Sequence, residues 1–163
     1  MTIAAIDAGL FRRVLRRHAA AVVVVTAPGP TGFTATSFTS VSLDPPLVSF
    51  CVATAGSAWP NVSTAPALAV HVLTAAQEPV ARVFATGGID RFAAYESRGG
   101  TWHESPDGVP LLHDPLAVLV CHPVNQIEAG DHIIVVASPV HAEHHDDAEA
   151  TPLVYHEGRY TAL

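Results

Sequence analysis

Short runs of β-branched and small apolar residues follow one another along this chain, and glycine or proline interrupts them at frequent intervals. Their spacing predicts strands at residues 21–26, 33–36, 47–53, 68–73, 116–124, 132–140, 153–155 and 159–161. Few of these runs alternate regularly with helical segments, as a doubly wound parallel sheet requires. The pattern therefore predicts a mainly β fold, an antiparallel barrel with a few peripheral helices.

The helical and loop segments are fewer. Residues 7–18 form an amphipathic pattern in which four arginines oppose an apolar face. Ser57 is expected to cap a short helix that runs through Ser63, and Thr74 a helix that ends near Ala85. Residues 96–115 are rich in glycine, proline and charge, which predicts a long surface loop, and residues 141–150 a solvated polar run.

Length and composition favour one domain, residues 1–163, that associates with a second copy. Charged residues make up 14% of the 163 residues and hydrophobic residues 49%, whereas charged residues average about 25% in globular proteins. A chain with so little charge is expected to cover apolar surface with a partner, most simply itself. The alternative is that abundant alanine and valine alone raise the apolar fraction.

The charged residues exclude several functions. The formal net charge is −7, and all eight basic residues are arginine. An acidic chain without a basic stripe does not favour nucleic-acid binding, and the lack of lysine excludes Schiff-base chemistry.

Cys51 and Cys121 lie in apolar runs, which is typical of buried thiols in a reducing compartment; a disulfide between them is the alternative. The apolar run after the N-terminal arginines is too short to span a bilayer. We therefore expect a cytoplasmic protein without a membrane segment.

Most familiar catalytic motifs are absent. The sequence has no HExxH, CxxC, GxSxG, GxGxxG or Walker A motif. One histidine- and aspartate-rich stretch offers metal-ligand types, but a solvated loop is favoured there and no metal is predicted; its residues are His141, His144, His145, Asp146 and Asp147.

Neutral hydroxyls and two anion-binding candidates remain. Residues 34–40 combine small side chains with several hydroxyls, Ser57 lies at an expected helix start, and Arg91 is a second candidate for a phosphate. The alternatives are that Ser57 only caps its helix and that Arg91 forms a surface ion pair with Asp90.

Four ordered segments together carry a resemblance. They are "GFTATSFTSVSLDPPLVSFCV", "SAWPNV", "LAVHVLTAAQEPVARVFA" with the later "DRF", and "IEAGDHIIVVASPV" with the later "PLVYHEGRY". From about residue 11 to 160 the chain resembles the flavin reductase family, the small reductase components of two-component flavin monooxygenases. The resemblance implies a homodimeric, Greek-key-like, FMN-binding split β-barrel. It also implies hydride transfer from NADH or NADPH to FMN or FAD, with reduced flavin passing to a partner monooxygenase.

The resemblance also implies roles for particular residues. The flavin ring would contact Thr34, Ala35, Thr36, Ser37, Phe38, Val52 and Ala53. The ribityl chain, phosphate or adenosine half would lie near Ser57, Phe84 and Arg91. His132 would meet the nicotinamide, and His156 and Tyr160 would border the pocket.

Two other functions fit parts of this pattern. A carrier or sensor that retains its flavin would need the same ring contacts. An oxidase of the pyridoxamine-phosphate type would share the fold, but it requires a strongly basic phosphate site, and this chain has no lysine. His71 stands where the family commonly has asparagine, and it is expected to face either the pocket or the core.

Overall fold

The computed structural model describes residues 6–145 and 149–163. Its helices are α1 (Ala8–Leu15), α2 (Trp59–Thr64), α3 (Glu78–Ala85) and α4 (Arg91–Glu96), with a 3₁₀ turn at Ala75–Gln77. The first six strands are β1 (Ala20–Ala21), β2 (Val23–Ala27), β3 (Thr31–Ala35), β4 (Thr39–Leu43), β5 (Pro46–Ala53) and β6 (Leu68–Val72). The remaining strands are β7 (Trp102–Glu104), β8 (Pro110–Leu112), β9 (Ala117–Ala129), β10 (His132–His144), β11 (Leu153–His156) and β12 (Arg159–Ala162).

Seven strands form the main sheet, in the order β3-β2-β6-β9-β10-β5-β4, and every pairing in it is antiparallel. The sheet curls so that β3 and β5, near its two ends, come into contact. The rings of Phe33 and Phe50 pack across this contact with centroids 6.2 Å apart. The predicted mainly β, antiparallel architecture is thus confirmed, with the barrel split where the two ends of the sheet meet.

The two faces of β2 serve two cores. Val23 and Val25 pack inside the curl with Phe50 and Val135. Val22, just before the strand, and Val24 pack on the outside with Phe84, beneath α3 and α4. Because successive strand residues point to opposite faces, one valine-rich run supplies both clusters, which explains why it shows no alternation with polar residues.

The structure corrects the predicted loop at 96–115. Its first residue ends α4, and β7 and β8 form a hairpin in which Val109 and Leu112 are buried. Strands of three residues are too short to show a period among glycines and prolines. Strand β4 was not predicted either, because it is an exposed edge strand of alternating Ser, Thr and apolar residues.

Three boundaries also differ from the predictions. Helix α2 begins at Trp59 with Ala58 at its cap, so Ser57 does not cap it. Strands β9 and β10 extend beyond their apolar segments, because their mutual hydrogen bonding continues to Ala129 and His144. Part of the predicted polar run at 141–150 is therefore strand; Asp146 and Asp147 lie outside the described residues.

Helix α1 matches the expected amphipathic segment and begins after Asp7, whose carboxylate accepts hydrogen bonds from the N–H groups of Gly9 and Leu10. Those bonds hold the pKa of Asp7 below its ordinary value. No residue of α1 is buried. Among the described helices, none is long and apolar enough to cross a membrane.

His71 lies in the core. Its Nδ1 is 3.0 Å from the Val24 carbonyl oxygen, and its Nε2 accepts the N–H of Leu112 at 3.1 Å. Because Nε2 must accept, Nδ1 carries the proton and donates to Val24. Complete burial lowers the pKa of His71 to about 4. His71 therefore joins β2 and β8 as a neutral group.

This burial predicts an acid-sensitive stability. His71 takes up a proton near pH 6.5 in the unfolded chain but only near pH 4 in the folded chain. The stability that neutral His71 contributes is therefore fully present above pH 6.5 and is lost as the pH falls toward 4. Between pH 7 and pH 5 the free energy of unfolding should fall by about 2 kcal/mol more than in His71→Asn. Urea unfolding at both pH values measures the difference. Equal pH slopes in the two proteins would contradict it.

Candidate functional site

A cavity of about 380 Å³ opens where the two ends of the curled sheet meet. We call it the central cavity. Ten of the residues predicted from the sequence to form a site line it: Thr34, Ala35, Thr36, Ser37, Val52, Ala53, Ser57, Phe84, Arg91 and His132. None of its lining residues in the described chain is acidic, so it suits an anionic or electron-rich ligand.

The hydroxyl-rich segment at the end of β3, residues 34–37, is held in place by two of its own hydroxyls. Thr34 Oγ1 donates to the Ala81 carbonyl of α3 at 2.6 Å. Ser37 Oγ accepts the backbone N–H of Cys51 in β5 at 2.8 Å. Thr36 is exposed and lines the cavity. The hydroxyls of Thr34 and Ser37 thus first serve the fold, and the two residues between them on the cavity wall, Ala35 and Thr36, have small side chains.

Gly32 allows α3 to approach this wall. A Cβ at Gly32 would stand 2.7 Å from Cε1 of Phe84, closer than real side chains permit. The Phe84 ring is fully buried and packs edge-on against Phe92, with centroids 5.2 Å apart. Phe84 therefore supports the cavity wall from the second core.

Arg91 lies between the central cavity and a second one. The outer cavity, about 420 Å³, shares Ser57, Ala58 and Arg91 with the central cavity and extends past Phe92 and Trp102. The Arg91 guanidinium donates to the carbonyls of Thr86 and Gly32, both at 2.8 Å.

The charge of Arg91 remains available for a ligand. Asp90 does not pair with it; its carboxylate accepts the Ala93 N–H and caps α4 instead. Among the described residues, no carboxylate forms an ion pair with Arg91. Burial lowers the pKa of Arg91 from its ordinary value, but an arginine remains cationic at neutral pH. A fixed, uncompensated cation beside a hydroxyl is a suitable phosphate site.

His132 is the histidine of the cavity wall. It begins β10 opposite Ala53 of β5, and its side chain is 45% exposed. Its Nδ1 is 2.7 Å from Oδ1 of Asp131. The hydrogen bond from His132, followed by its charge, lowers the pKa of Asp131. The carboxylate thus fixes the ring through Nδ1 and leaves Nε2 for a ligand.

Sequence reasoning missed several residues of this site. Asp131 orients His132, and its adjacency in "GDH" was the available signal. Cys51 lines the cavity beside Ala53, as strand alternation along β5 would have indicated. The other lining residues not predicted are Phe33, Gly56, Ala58 and Ala85.

Three predicted residues lie outside the lining of the central cavity. Phe38 packs against the core cluster formed by Val48, Cys121 and Ala137. Tyr160 packs on the second core, with the Arg82 guanidinium 5.0 Å from its ring centroid, and burial raises the pKa of Tyr160. His156 is half-buried in β11, opposite Arg159. The structure does not bring these three side chains together with the others.

The structure gives no support to a metal centre within the described ranges, where no three His, Cys, Asp or Glu side chains are placed to hold an ion. His141 instead bonds Glu143, with Nε2 2.8 Å from the carboxylate.

Known proteins resemble this chain along nearly its whole length. A family described as "flavin reductase like domain" matches residues 15–163. An NADH:FMN oxidoreductase of Rhodococcus erythropolis is 44% identical over 160 residues, which cover 95% of this chain and 81% of that protein.

Solved structures agree in fold. An NADH:FAD oxidoreductase of Streptomyces globisporus, solved with NAD and FAD fragments, superposes with a TM-score of 0.87 at 34% identity, covering 96% of this chain and 93% of that one. The flavin reductase component of a bacterial two-component tryptophan halogenase gives a TM-score of 0.86 at 36% identity, with coverages of 96% and 98%.

Proposed function

The chain belongs to the flavin reductase-like family, and we propose that it is an NAD(P)H:flavin oxidoreductase, which transfers a hydride from NADH or NADPH to FMN or FAD. The observation that carries the proposal is the central cavity. It unites the segment 34–37, the end of β5, the cation Arg91 and the oriented His132 around one space without acidic lining.

The residues present fit a flavin. Ala35 and Ala53 are small enough for a flat ring to approach the main chain, whose N–H and C=O groups match the polar edge of such a ring. Ser57 and Arg91, at the junction with the outer cavity, would hold the phosphate. The outer cavity, with Trp102 on its wall, would receive the adenosine half of FAD.

The protein's part in hydride transfer is to position the reactants. A bound flavin supplies the hydride acceptor. His132, held by Asp131, would donate a hydrogen bond through Nε2 to the nicotinamide carboxamide and so orient that ring in the cavity. No acid–base pair is needed for this step, which agrees with the absence of carboxylates from the described cavity wall.

The direct test is flavin-dependent oxidation of NADH. The purified chain, stripped of flavin, should consume NADH or NADPH only when FMN or FAD is added, at a rate that saturates with flavin; absorbance at 340 nm measures it. All four cofactor pairs should be compared. A chain that purifies yellow yet reduces no added flavin would instead support a carrier or sensor, the second function that fits the cavity.

His132→Ala tests the positioning role. It should lower the rate of flavin reduction by NADH about tenfold, the effect of one lost hydrogen bond of about 1.4 kcal/mol. Flavin affinity, measured by fluorescence quenching, should stay near that of the wild type. His103→Ala, at an exposed histidine outside the cavity lining, is the matched control. Stopped-flow kinetics identical to wild type would assign His132 a structural role only.

We also propose that the chain is a homodimer. Beyond Cys121 the edge of β9 that faces β6 has no strand partner in the described chain, and Val124 and Ile127 on it are 56% and 45% exposed. The apolar face of α1 is uncovered as well. A second copy would remove this apolar surface from water.

A double variant, Val124→Glu and Ile127→Glu, should convert the dimer to a monomer, because it places four buried carboxylates across a two-fold interface. Light scattering after gel filtration measures the mass. Thr161→Glu, on the small sheet, is the control and should remain dimeric. A wild-type protein with the mass of a single chain at micromolar concentration would refute the dimer.

The proposed activity also implies a partner enzyme and a cellular compartment. Reduced flavin would pass to a partner monooxygenase; a relative from Mycobacterium tuberculosis, 30% identical over 163 residues that cover 98% of this chain, is named as the reductase subunit HsaB of a flavin-dependent monooxygenase. We also propose a cytoplasmic, single-domain protein; the free thiols of Cys51 and Cys121 agree with the reducing compartment. Flavin-stimulated hydroxylation by an added partner oxygenase would test this role.

A further inference from the structure

Half of the chain's positive charge is concentrated at its N-terminus. Four of the eight basic residues, Arg12, Arg13, Arg16 and Arg17, occur within six positions of a chain whose net charge is −7. They lie on or just after α1, which buries none of its residues. The sheet core therefore does not hold this helix, and its placement depends on other contacts.

Those contacts come from the turn between β11 and β12. The Glu157 N–H donates to the Arg16 carbonyl at 2.9 Å, and the Glu157 carboxylate forms an ion pair with Arg17. Pairing of Ala20 with Tyr155 brings the chain after α1 to the same hairpin. The helix end and the hairpin thus enclose a third space, the N-terminal cavity, of about 340 Å³.

The N-terminal cavity is cationic. Arg12, Arg16 and His18 line it. The one carboxylate on its wall belongs to Glu157 and is neutralised by Arg17. Within the described residues, neither Arg12 nor Arg16 forms an ion pair. Two unpaired guanidiniums in one concave site favour a ligand with phosphate groups.

The N-terminal cavity also adjoins the central one, because Thr36 lines both. Arg91, the other free cation of the site, bonds Gly32 near the start of β3, whereas Thr36 follows its end. Four residues of strand span about 13 Å. Arg91 thus lines the central cavity, and Arg12 and Arg16 line the cavity that adjoins it at Thr36, an arrangement that suits two phosphate-bearing ligands that meet in the central cavity.

We propose that Arg12 and Arg16 bind the diphosphate of the nicotinamide dinucleotide, so that its nicotinamide enters the central cavity past Thr36. This proposal rests on the proposed function, in which Arg91 holds the phosphate of the flavin. Tyr155, whose ring meets Tyr160 with centroids 5.3 Å apart, adds an aromatic wall beside the two arginines.

The experiment compares two hydride donors in Arg12→Gln and Arg16→Gln. Each variant should raise KM for NADH about tenfold, the loss expected for one charge-assisted contact, and leave kcat within about twofold of wild type. With 1-benzyl-1,4-dihydronicotinamide, which has no phosphate, both variants should match wild type. Arg13→Gln removes the same charge from α1 outside the cavity lining and should change neither KM.

Other results would overturn the assignment. Equal losses with both hydride donors would show that the arginines only support the fold. If the two variants instead bound FAD more weakly than wild type, with FMN binding and the KM for NADH unchanged, the N-terminal cavity would hold the adenosine of FAD. NADH binding can also be titrated by fluorescence, which needs no turnover. Weaker NADH binding in Arg12→Gln and Arg16→Gln but not in Arg13→Gln supports the assignment even if flavin is not reduced. Equal NADH binding in all three variants overturns it.

Discussion

The site depends on the meeting of the two ends of the seven-stranded sheet, which the hydrogen bond from the Cys51 N–H of β5 to Ser37 Oγ, just after β3, helps to hold together. An antiparallel sheet that curls without closing leaves unpaired backbone along the split. Here a side-chain hydroxyl takes the place of a strand partner, and the packed rings of Phe33 and Phe50 fill the interior behind it. Residues 34–37 line the cavity beside this contact, so the incomplete barrel leaves a space that a closed one would fill with side chains.

The charge of the cavity lining is opposite to that of the chain as a whole. The chain is acidic overall, yet the described lining of the central cavity has no carboxylate, and unpaired arginines line this cavity and the adjoining N-terminal cavity. Flavin phosphates and nicotinamide dinucleotides are anions that a net negative protein would otherwise repel. Arginine suits the binding of such anions better than lysine. Its planar guanidinium can donate hydrogen bonds to backbone carbonyls, as Arg91 does to Gly32 and Thr86, and keep its positive charge for a ligand.

Much of the fold was predictable because burial leaves a period in the sequence. The alternation of Leu68 and Val70 with His71 gave β6, and the structure places the first two inside the curl and the third in a polar contact outside it. Strand β4 and the hairpin of β7 and β8 left no such signal, since the first is exposed and the others are only three residues long. The boundaries of β9 and β10 were missed for a related reason: a two-stranded ladder continues by backbone hydrogen bonding after its side chains become polar.

The site shows where sequence reasoning reaches its limit. Resemblance and strand spacing selected ten residues that do share one cavity, because the order of motifs along the chain preserves their places in the fold. They did not reveal which polar atoms remain free, since that depends on partners distant in sequence. Thr34 bonds Ala81, 47 positions away, and Ser37 bonds Cys51, 14 positions away. The hydroxyls of Thr34 and Ser37 consequently hold this strand end in the fold, whereas Thr36 is exposed and lines the cavity.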